Sequence, residues 1–330
     1  MIVALMRAFE PLFKNPHILT ILANFWPRKY EFARFPIKDR LIRTDPDTEV
    51  LVQTQHPADA PVGHVVLLHG LEGSGEAGYI RSMAWDVLNA GFIAHRFHMR
   101  TCGGTAPLCK TLYHAGLTSD LLAFLEGLNH ERAGLPVFLI GFSLGGNVAL
   151  KLAGELGTTE LIQGVCSIST PIDLASGVRR IGRLDNRLYE RRFLKRMRKR
   201  LFATGRYTRE QLESARSLYE IDDKITAPSF GFDGADHYYA TQSAQRYIDR
   251  IRVPSLLIQA KDDTFIPFDM FAHPAIRSNP FLRLIATEHG GHLGFLSRRG
   301  SRFWLDEIAI EFLKNVVSTA PESVIGGRTR

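Results

Sequence analysis

Ser143 lies at the centre of Gly141-Phe142-Ser143-Leu144-Gly145, a segment with the pattern G-x-S-x-G. The apolar run VFLI precedes this segment, and the helix-like stretch NVALKLAGEL follows it. A strand, a tight turn and a helix in that order expose a serine hydroxyl at the end of a sheet, beside a helix N-terminus that favours developing negative charge. Larger side chains at the two glycines would collide in such a turn. Ser143 is therefore the candidate nucleophile, and an incidental serine in a glycine-rich turn is the alternative.

A serine hydroxyl becomes nucleophilic beside a base, and the base needs a carboxylate that orients it. When the serine occupies this kind of turn, the acid and then the histidine follow it along the chain. Asp262 and Asp263 come after the apolar run SLLIQA, and His289 and His292 come after LRLIAT. His292 is preferred over His289, because the small residues of G-G-H-x-G leave an imidazole room to move between the serine and a leaving group. Both aspartates remain candidates, with Asp263 preferred.

Two backbone N–H groups are candidates for an oxyanion hole, which binds the negative oxygen formed when a serine attacks a carbonyl. One belongs to Leu144, directly after the nucleophile, and we assign the other to Leu71 in the glycine-rich loop 69–75. A simple turn into a helix is the alternative for this loop. The loop has neither the G-x-G-x-x-G nor the P-loop pattern, so no dinucleotide or other cofactor is expected.

The overall composition is that of a globular chain, with 330 residues of which 45% are hydrophobic and 23% charged. These values exclude a disordered chain, a coiled coil and a small disulfide scaffold, and a chain of this length can bury a large core. The three cysteines, Cys102, Cys109 and Cys166, are odd in number and lack metal-ligand spacing. Reduced thiols in a cytosol-like compartment fit them best, and no metal is expected.

The N-terminal segment MIVALMRAFEPLFKN is apolar but lacks the basic leader and the small-residue cleavage site of a secretory signal. We expect it to rest on the protein body, and contact with a membrane surface is the alternative. No stretch of the chain reaches the ~18 uninterrupted apolar residues that a spanning helix needs. The expected location is the cytoplasm, with peripheral membrane association left open.

The net charge of +7 is concentrated in one segment. Residues 176–210 contain 13 Lys/Arg and 3 Asp/Glu, whereas the rest of the chain carries 28 basic and 31 acidic residues. A solvated helix face is the preferred explanation, and contact with an anionic membrane is the second. Nucleic acid is not an expected partner, because no nucleic-acid motif accompanies the charge. The oligomeric state stays open.

Short apolar runs bounded by turn residues predict seven strands, at 49–55, 64–69, 92–98, 136–141, 162–168, 254–260 and 282–287. Helical patterns separate most of them, at 78–89, 118–130, 145–156 and 303–316. This alternation predicts a parallel sheet with helices on both faces.

The alternation of strands and helices is interrupted once. About 85 residues separate the predicted strand 162–168 from the next predicted strand, 254–260. Within them, LYERRFLKRMRKRLF places Leu188, Phe193, Leu194, Met197, Leu201 and Phe202 close to helical spacing. We therefore predict an inserted helical lid rather than a second sheet domain. Tyr238 and Tyr239, late in this interval, are expected to pack against the pocket rather than to take part in catalysis.

Several short motifs together resemble one family. They are NPHILT at 15–20, HGLEGS at 69–74, MRTCGGT at 99–105, LYHAG at 112–116, GFSLGGN at 141–147, AKDDTF at 260–265 and EHGGHLGF at 288–295. Their combination resembles the YheT-like branch of the α/β-hydrolase superfamily, also called the AB hydrolase 4 family. The resemblance spans about residues 10–317.

The resemblance implies a carboxylesterase or lipase-like serine hydrolase acting on a small-molecule ester, with Ser143, one of the two aspartates and His292 at the family's triad positions. Asp263 lies four residues before Pro267, which resembles many α/β-hydrolases. The family's acid motif commonly reads D-D-P, whereas Thr264 stands here in place of the proline. Because the branch includes ester-forming acyltransferases, transfer of the acyl group to an alcohol is the alternative activity.

The expected fold class is α/β, specifically the α/β-hydrolase fold: a twisted, mostly parallel sheet of about eight strands with helices on both faces and a helical cap between strands six and seven. The expected organisation is an N-terminal segment (1–30), a core (31–170 and 251–318), a basic helical cap (171–250) and a flexible tail (319–330).

Overall fold

The structure, a computed structural model, describes residues 7–132 and 134–319. Within these residues, one sheet contains eight strands: β1 Lys38–Asp45, β2 Thr48–Gln55, β3 His64–Leu68, β4 Ile93–Phe97, β5 Val137–Phe142, β6 Gly164–Ile168, β7 Ser255–Ala260 and β8 Leu282–Thr287. Their order across the sheet is β1-β2-β4-β3-β5-β6-β7-β8. The pairs β1–β2 and β2–β4 are antiparallel, and the other neighbours are parallel. The carboxyl ends of β5, β7 and β8 therefore meet at one edge of the sheet.

The helices of the described chain are α1 Pro16–Phe25, α2 Gly78–Asn89, α3 Ser119–Glu131, α4 Leu144–Leu156, α5 Leu174–Ile181, α6 Arg187–Ala203, α7 Arg209–Ser214, α8 Leu218–Ile221, α9 Ala227–Ser229, α10 Ala235–Gln242, α11 Pro274–Ser278 and α12 Trp304–Thr319. A π-helical turn, Asp222–Thr226, connects α8 to α9.

The core lies on both faces of the sheet, because successive side chains of a strand point to opposite faces. On β3, Val65 and Leu67 belong to the cluster that contains the buried residues of α2 and α12. Val66 and Leu68 belong to the other cluster, which contains those of α3, α4 and the helices between β6 and β7. Strands buried on both faces read as continuous apolar runs, which is why they were visible in the sequence.

The predicted fold class is confirmed, and all seven predicted strands are present with ends that differ by at most two residues. The eighth strand, β1, was missed. Its sequence KDRLIRTD is mostly charged and alternates between exposed and partly buried residues. An edge strand of this kind buries little apolar surface, so it lacks the run that identifies the others.

The interval between β6 and β7 contains α5 to α10, as the predicted cap requires. On α6, Leu194, Met197 and Leu201 form a buried stripe. Leu188 and Phe202, which share the helical spacing in the sequence, are exposed. At 100° per residue Leu188 falls on the opposite side of the helix from the stripe, and Phe202 falls well to one side of it.

The N-terminal segment, as far as it is described, lies on the protein body. Leu12 N–H donates to Leu296 O (2.8 Å), and Arg298 N–H donates to Glu10 O (2.7 Å). The predicted tail begins at Thr319, which is the last residue of α12, and residues 320–330 lie outside the described part. In the ranges that the structure covers, no helix has both the length and the apolar character needed to cross a bilayer.

Candidate active site

Ser143 occupies the turn between β5 and α4, with a left-handed backbone (φ 52°, ψ −121°). The flanking glycines make this turn possible. A Cβ atom on Gly141 would lie 2.5 Å from Gly145 O, and one on Gly145 would lie 2.5 Å from Leu68 O. Both distances are far below contact distance and involve backbone atoms, so the sequence requirement for glycine has a direct steric cause.

Ser143, His292 and Asp263 come together although they are distant along the chain. His292 Nε2 lies 3.1 Å from Ser143 Oγ, and His292 Nδ1 lies 3.0 Å from Asp263 Oδ2. An ionised carboxylate only accepts hydrogen bonds, so Nδ1 must carry the proton and Nε2 is left as the acceptor for the serine hydroxyl. This arrangement can withdraw a proton from Ser143 and hold it on the imidazole.

The neighbouring pair, Asp262 and His289, forms a separate contact. Asp262 Oδ2 lies 3.0 Å from His289 Nδ1, and Asp262 Oδ1 accepts from Gly291 N–H at 2.9 Å. This pair is partly exposed, whereas the side chains of Asp263 and His292 are 0% and 8% exposed. Of the four candidates from the sequence, the structure thus brings the preferred two next to Ser143.

Asp263 is held by the loop after β7. Its Oδ1 accepts from the N–H groups of Phe265 (2.8 Å) and Ile266 (3.1 Å), and its Oδ2 accepts from Gln259 Nε2 (3.1 Å). These bonds satisfy the buried carboxylate and fix its orientation toward His292. Thr264, the residue that replaces the family's proline, does not prevent this turn.

His292 is positioned by α1, a role that was missed from the sequence. Its N–H donates to Thr20 Oγ1 at 2.9 Å, and a Cβ on Gly291 would lie 2.4 Å from Pro16 O. The imidazole also contacts the ring of Phe265, with centroids 4.5 Å apart. The motif NPHILT, which contains Pro16 and Thr20, was recognised only as part of the family pattern.

The loop 69–75 lies against Ser143, since a Cβ on Gly70 would be 3.1 Å from Ser143 Cβ. Gly70 N–H donates to Tyr79 Oη and Glu72 N–H to Tyr113 Oη, both at 3.0 Å. The N–H of Leu71, between them, donates to no residue in the described ranges. Leu144 is the first residue of α4, and an amide at that position has no partner inside its helix. Both candidate oxyanion donors are therefore available.

A buried ion pair connects this loop to the cap. Arg200 Nη2 on α6 lies 2.8 Å from Glu72 Oε1, and these side chains are 11% and 3% exposed. Arg200 Nη1 also donates to Thr101 Oγ1 (2.7 Å), while Tyr113 Oη donates to Glu72 Oε1 (3.2 Å). One cation of the basic segment is thus a structural contact beside Leu71 and not part of a solvated face. Residues 128 positions apart gave no sequence signal for this pair.

A cavity opens beside Ser143, between the sheet edge and the cap. Much of its wall is apolar and includes Leu71, Leu174, Val178, Phe193, Met197 and Phe265. Tyr238 and Tyr239 line it, as the sequence predicted, and Arg200 and Asp222 supply charged groups. The cavity therefore suits an apolar molecule with a few polar atoms. Among the described residues, no group of three or more His, Cys, Asp or Glu side chains is arranged to hold a metal ion.

Comparisons with known proteins show which family the chain belongs to. A family profile described as the alpha/beta hydrolase fold matches residues 63–298. The chain is 32% identical over 292 residues to the Escherichia coli protein named putative esterase YheT, covering 86% of this chain and 85% of that one. It is 28% identical to the monoacylglycerol lipase of Saccharomyces cerevisiae, covering 76% of this chain and 58% of the lipase.

Among solved structures, an esterase of Pyrococcus furiosus matches with a TM-score of 0.58 at 18% identity, covering 88% of this chain and 96% of that one. At this identity the likeness supports the fold. Fold, site and relatives together define a hydrolase. The chain belongs to the α/β-hydrolase family, in the branch that contains YheT, as its motifs predicted.

Proposed function

We propose that the protein is a serine esterase that cleaves carboxylic esters through an acyl-enzyme. The observation that carries this proposal is the chain of contacts from Asp263 through His292 to Ser143, at the wall of a largely apolar cavity. The names of its relatives, among them an esterase and a lipase, support the same chemistry.

In the first half of the reaction, His292 Nε2 takes the proton of Ser143 as Oγ attacks the ester carbonyl. The N–H groups of Leu71 and Leu144 bind the oxygen that becomes negative, where an aligned donor stabilises the transition state by several kcal/mol. Asp263 keeps the imidazole in the tautomer that accepts this proton, and it stabilises the imidazolium that forms. The imidazolium then protonates the departing alcohol, which leaves the acyl group on Ser143.

In the second half, water attacks the acyl-enzyme while His292 acts again as the base. The free acid leaves and Ser143 regains its proton. The apolar wall is suited to short-to-medium acyl chains or lipid esters, because burying each CH₂ of a substrate contributes about 0.8 kcal/mol to binding.

We further propose that residues 171–250 act as the cap that shapes this cavity, on a core formed by 31–170 and 251–318. Cap residues Phe193, Met197 and Tyr238 line the cavity, and Asn186 Nδ2 donates to Thr264 O at 2.6 Å beside the triad acid. The cap thus contacts both the substrate space and the loop that holds Asp263.

The test is hydrolysis of p-nitrophenyl butyrate and octanoate by the wild type, by Ser143→Ala and by Ser318→Ala. Ser318 is an exposed serine on α12 and serves as the matched control. We expect wild-type activity in the control and a loss of at least about 10³-fold in Ser143→Ala, because removing a triad member leaves only the oxyanion hole and binding. Undiminished activity in Ser143→Ala contradicts the assignment.

The second candidate activity is transfer of the acyl group to an alcohol. A relative from Saccharomyces cerevisiae named medium-chain fatty acid ethyl ester synthase/esterase 2 favours it, at 26% identity over 88% of this chain and 67% of that one. Both activities share the acyl-enzyme and differ only in the acceptor. Product analysis with added ethanol separates them: ethyl ester supports transfer, and free acid alone excludes it under those conditions.

Peripheral contact with an anionic membrane is supported by the outer surface of the cap. Leu184 and Leu188 are 86% and 78% exposed. They lie four residues apart within the basic segment 176–210, and exposed leucines beside cations are typical of interfacial surfaces. Co-sedimentation with anionic vesicles at low salt tests the contact, with Leu188→Glu expected to weaken it. No binding of the wild type to such vesicles contradicts it.

A further inference from the structure

Asp222 places a carboxylate in the wall of the cavity that also contains Ser143. It is the first residue of the π-helical turn Asp222–Thr226. Such turns are rare and occur frequently at functional sites. Tyr239 Oη donates to Asp222 Oδ2 at 2.7 Å, which fixes the orientation of the carboxylate.

The position of Asp222 is costly for a charged group. Burial raises the pKa of its carboxyl to about 6, although hydrogen bonds from Tyr239 and Thr226 oppose the rise. The surrounding wall is formed largely by apolar groups such as Leu218 and Met197. A carboxylate has about four acceptor positions, so its contacts with Tyr239 and Thr226 leave capacity unused.

We propose that Asp222 is a specificity-determining residue that accepts a hydrogen bond from a hydroxyl group of the substrate. This inference rests on the proposed esterase function and names its substrate class: esters that carry a free hydroxyl on the part lying along the cap wall. A site built to hydrogen-bond a substrate hydroxyl discriminates strongly against the analogue that lacks it, because its own polar group is then left unpaired.

A hydroxyl fits this position better than an ammonium group. Arg200 lines the same cavity, and its guanidinium, although paired with Glu72, disfavours an ammonium group more than it disfavours a neutral hydroxyl. A neutral hydroxyl can donate to Asp222 without that repulsion. The remaining wall still binds the hydrocarbon part of the same molecule.

The experiment compares kcat/KM for two matched pairs of esters. Monooctanoylglycerol against propyl octanoate places the hydroxyls on the alcohol, and methyl ω-hydroxyoctanoate against methyl octanoate places one on the acyl chain. The proteins are the wild type, the nearly isosteric Asp222→Asn and, as matched control, Asp236→Asn, an exposed carboxylate on α10 of the same cap. Melting temperatures verify that both variants are folded.

We expect the wild type to prefer the hydroxylated ester in at least one pair by about 10- to 100-fold, the value of a hydrogen bond to a charged group. Asp222→Asn should reduce this preference at least about fivefold by raising KM or lowering kcat for the hydroxylated ester alone, and Asp236→Asn should keep it.

If the wild type prefers the hydroxylated ester in neither pair, the inference is overturned. This result needs only the wild-type protein and does not depend on whether a variant folds. A preference that Asp222→Asn retains, or an equal loss on both members of each pair, also overturns it. A third ester, octanoylcholine, carries an ammonium group instead of hydroxyls, and a higher kcat/KM for it than for monooctanoylglycerol overturns the choice of a hydroxyl. These results leave the esterase function intact. If the wild type hydrolyses none of the esters, the esterase function itself fails and the inference falls with it.

Discussion

Asp262 and Asp263 are consecutive in the chain, yet their carboxylates bind two different imidazoles. Asp263 lies 3.0 Å from the ring of His292, which faces Ser143, whereas Asp262 lies 3.0 Å from His289 and also binds the N–H of Gly291. One aspartate therefore orients the imidazole beside Ser143, and the other holds the loop that carries this imidazole.

Asp263→Asn should lower kcat by about 10⁴-fold, because an amide at this position favours the wrong tautomer of His292. Asp262→Asn should lower kcat less than about tenfold, since it weakens only a partly exposed contact of the loop. Hydrolysis of one p-nitrophenyl ester by both variants measures the difference. A large loss confined to Asp262→Asn would reverse the assignment of the two carboxylates.

Gly145→Ala should destabilise the fold by about 3 kcal/mol or more and reduce activity, because its Cβ would lie 2.5 Å from Leu68 O on β3. Gly127→Ala on α3 is the matched control. Nothing lies within 4 Å of a Cβ at Gly127, so this substitution should stabilise the helix by about 0.5–1 kcal/mol. Urea unfolding followed by circular dichroism measures both. Equal stability of the two variants would show that the turn accepts a side chain.

Arg200→Ala should lower the free energy of unfolding by about 3–5 kcal/mol, because it leaves the buried carboxylate of Glu72 unpaired. It should also lower kcat by about tenfold or more, since Glu72 follows Leu71, the proposed oxyanion donor, and loss of one such donor costs about 10²–10³. Lys199→Ala removes a charge from the exposed side of the same helix and should change stability by less than about 0.5 kcal/mol. Matching results for the two variants would exclude a special role for the ion pair.

Asp306 should make the fold less stable as the pH rises from about 4 to about 7. Burial, together with the nearby carboxylate of Asp86, raises the pKa of Asp306 to about 7. The folded state then keeps a proton that the unfolded chain releases, so folding loses up to about 1.4 kcal/mol per pH unit in this window. In Asp306→Asn the part of this loss that comes from Asp306 should be absent, while burial still raises the pKa of Asp86 to about 6.

Urea unfolding midpoints of the wild type and of Asp306→Asn, measured between pH 4 and pH 8, test this effect. As the pH rises, the midpoint of the variant should increase relative to that of the wild type. The exposed residue Asp249 supplies the control substitution Asp249→Asn. A wild-type-to-variant difference that stays constant from pH 5 to pH 8 would contradict the raised pKa.

The sequence predicted those parts of the fold that depend on local patterns. Buried parallel strands such as β5 are continuous apolar runs, and the turn around Ser143 has steric requirements that only glycine meets. Strand β1 could not be predicted in this way, because its charged sequence at the sheet edge buries too little apolar surface.

Contacts between segments that are distant along the chain could not be predicted from the sequence. Thr20 reaches His292 across 272 positions, and Arg200 reaches Glu72 across 128. Neither contact depends on residue spacing, since both arise only when the fold brings α1 and α6 to the active-site edge. The sequence preferred Asp263 over Asp262 only through its distance from Pro267, because adjacent side chains diverge only in three dimensions.

The most direct test of the central claim is the reaction of the protein with a fluorophosphonate probe, followed by peptide mapping of the adduct. A nucleophilic serine beside its base and an oxyanion hole reacts with such a probe whatever its natural ester. We predict one covalent adduct, located on Ser143 and abolished in both Ser143→Ala and His292→Ala. An unlabelled folded protein, or a label on another residue that persists in Ser143→Ala, would contradict the proposal that Ser143 is the nucleophile of an esterase.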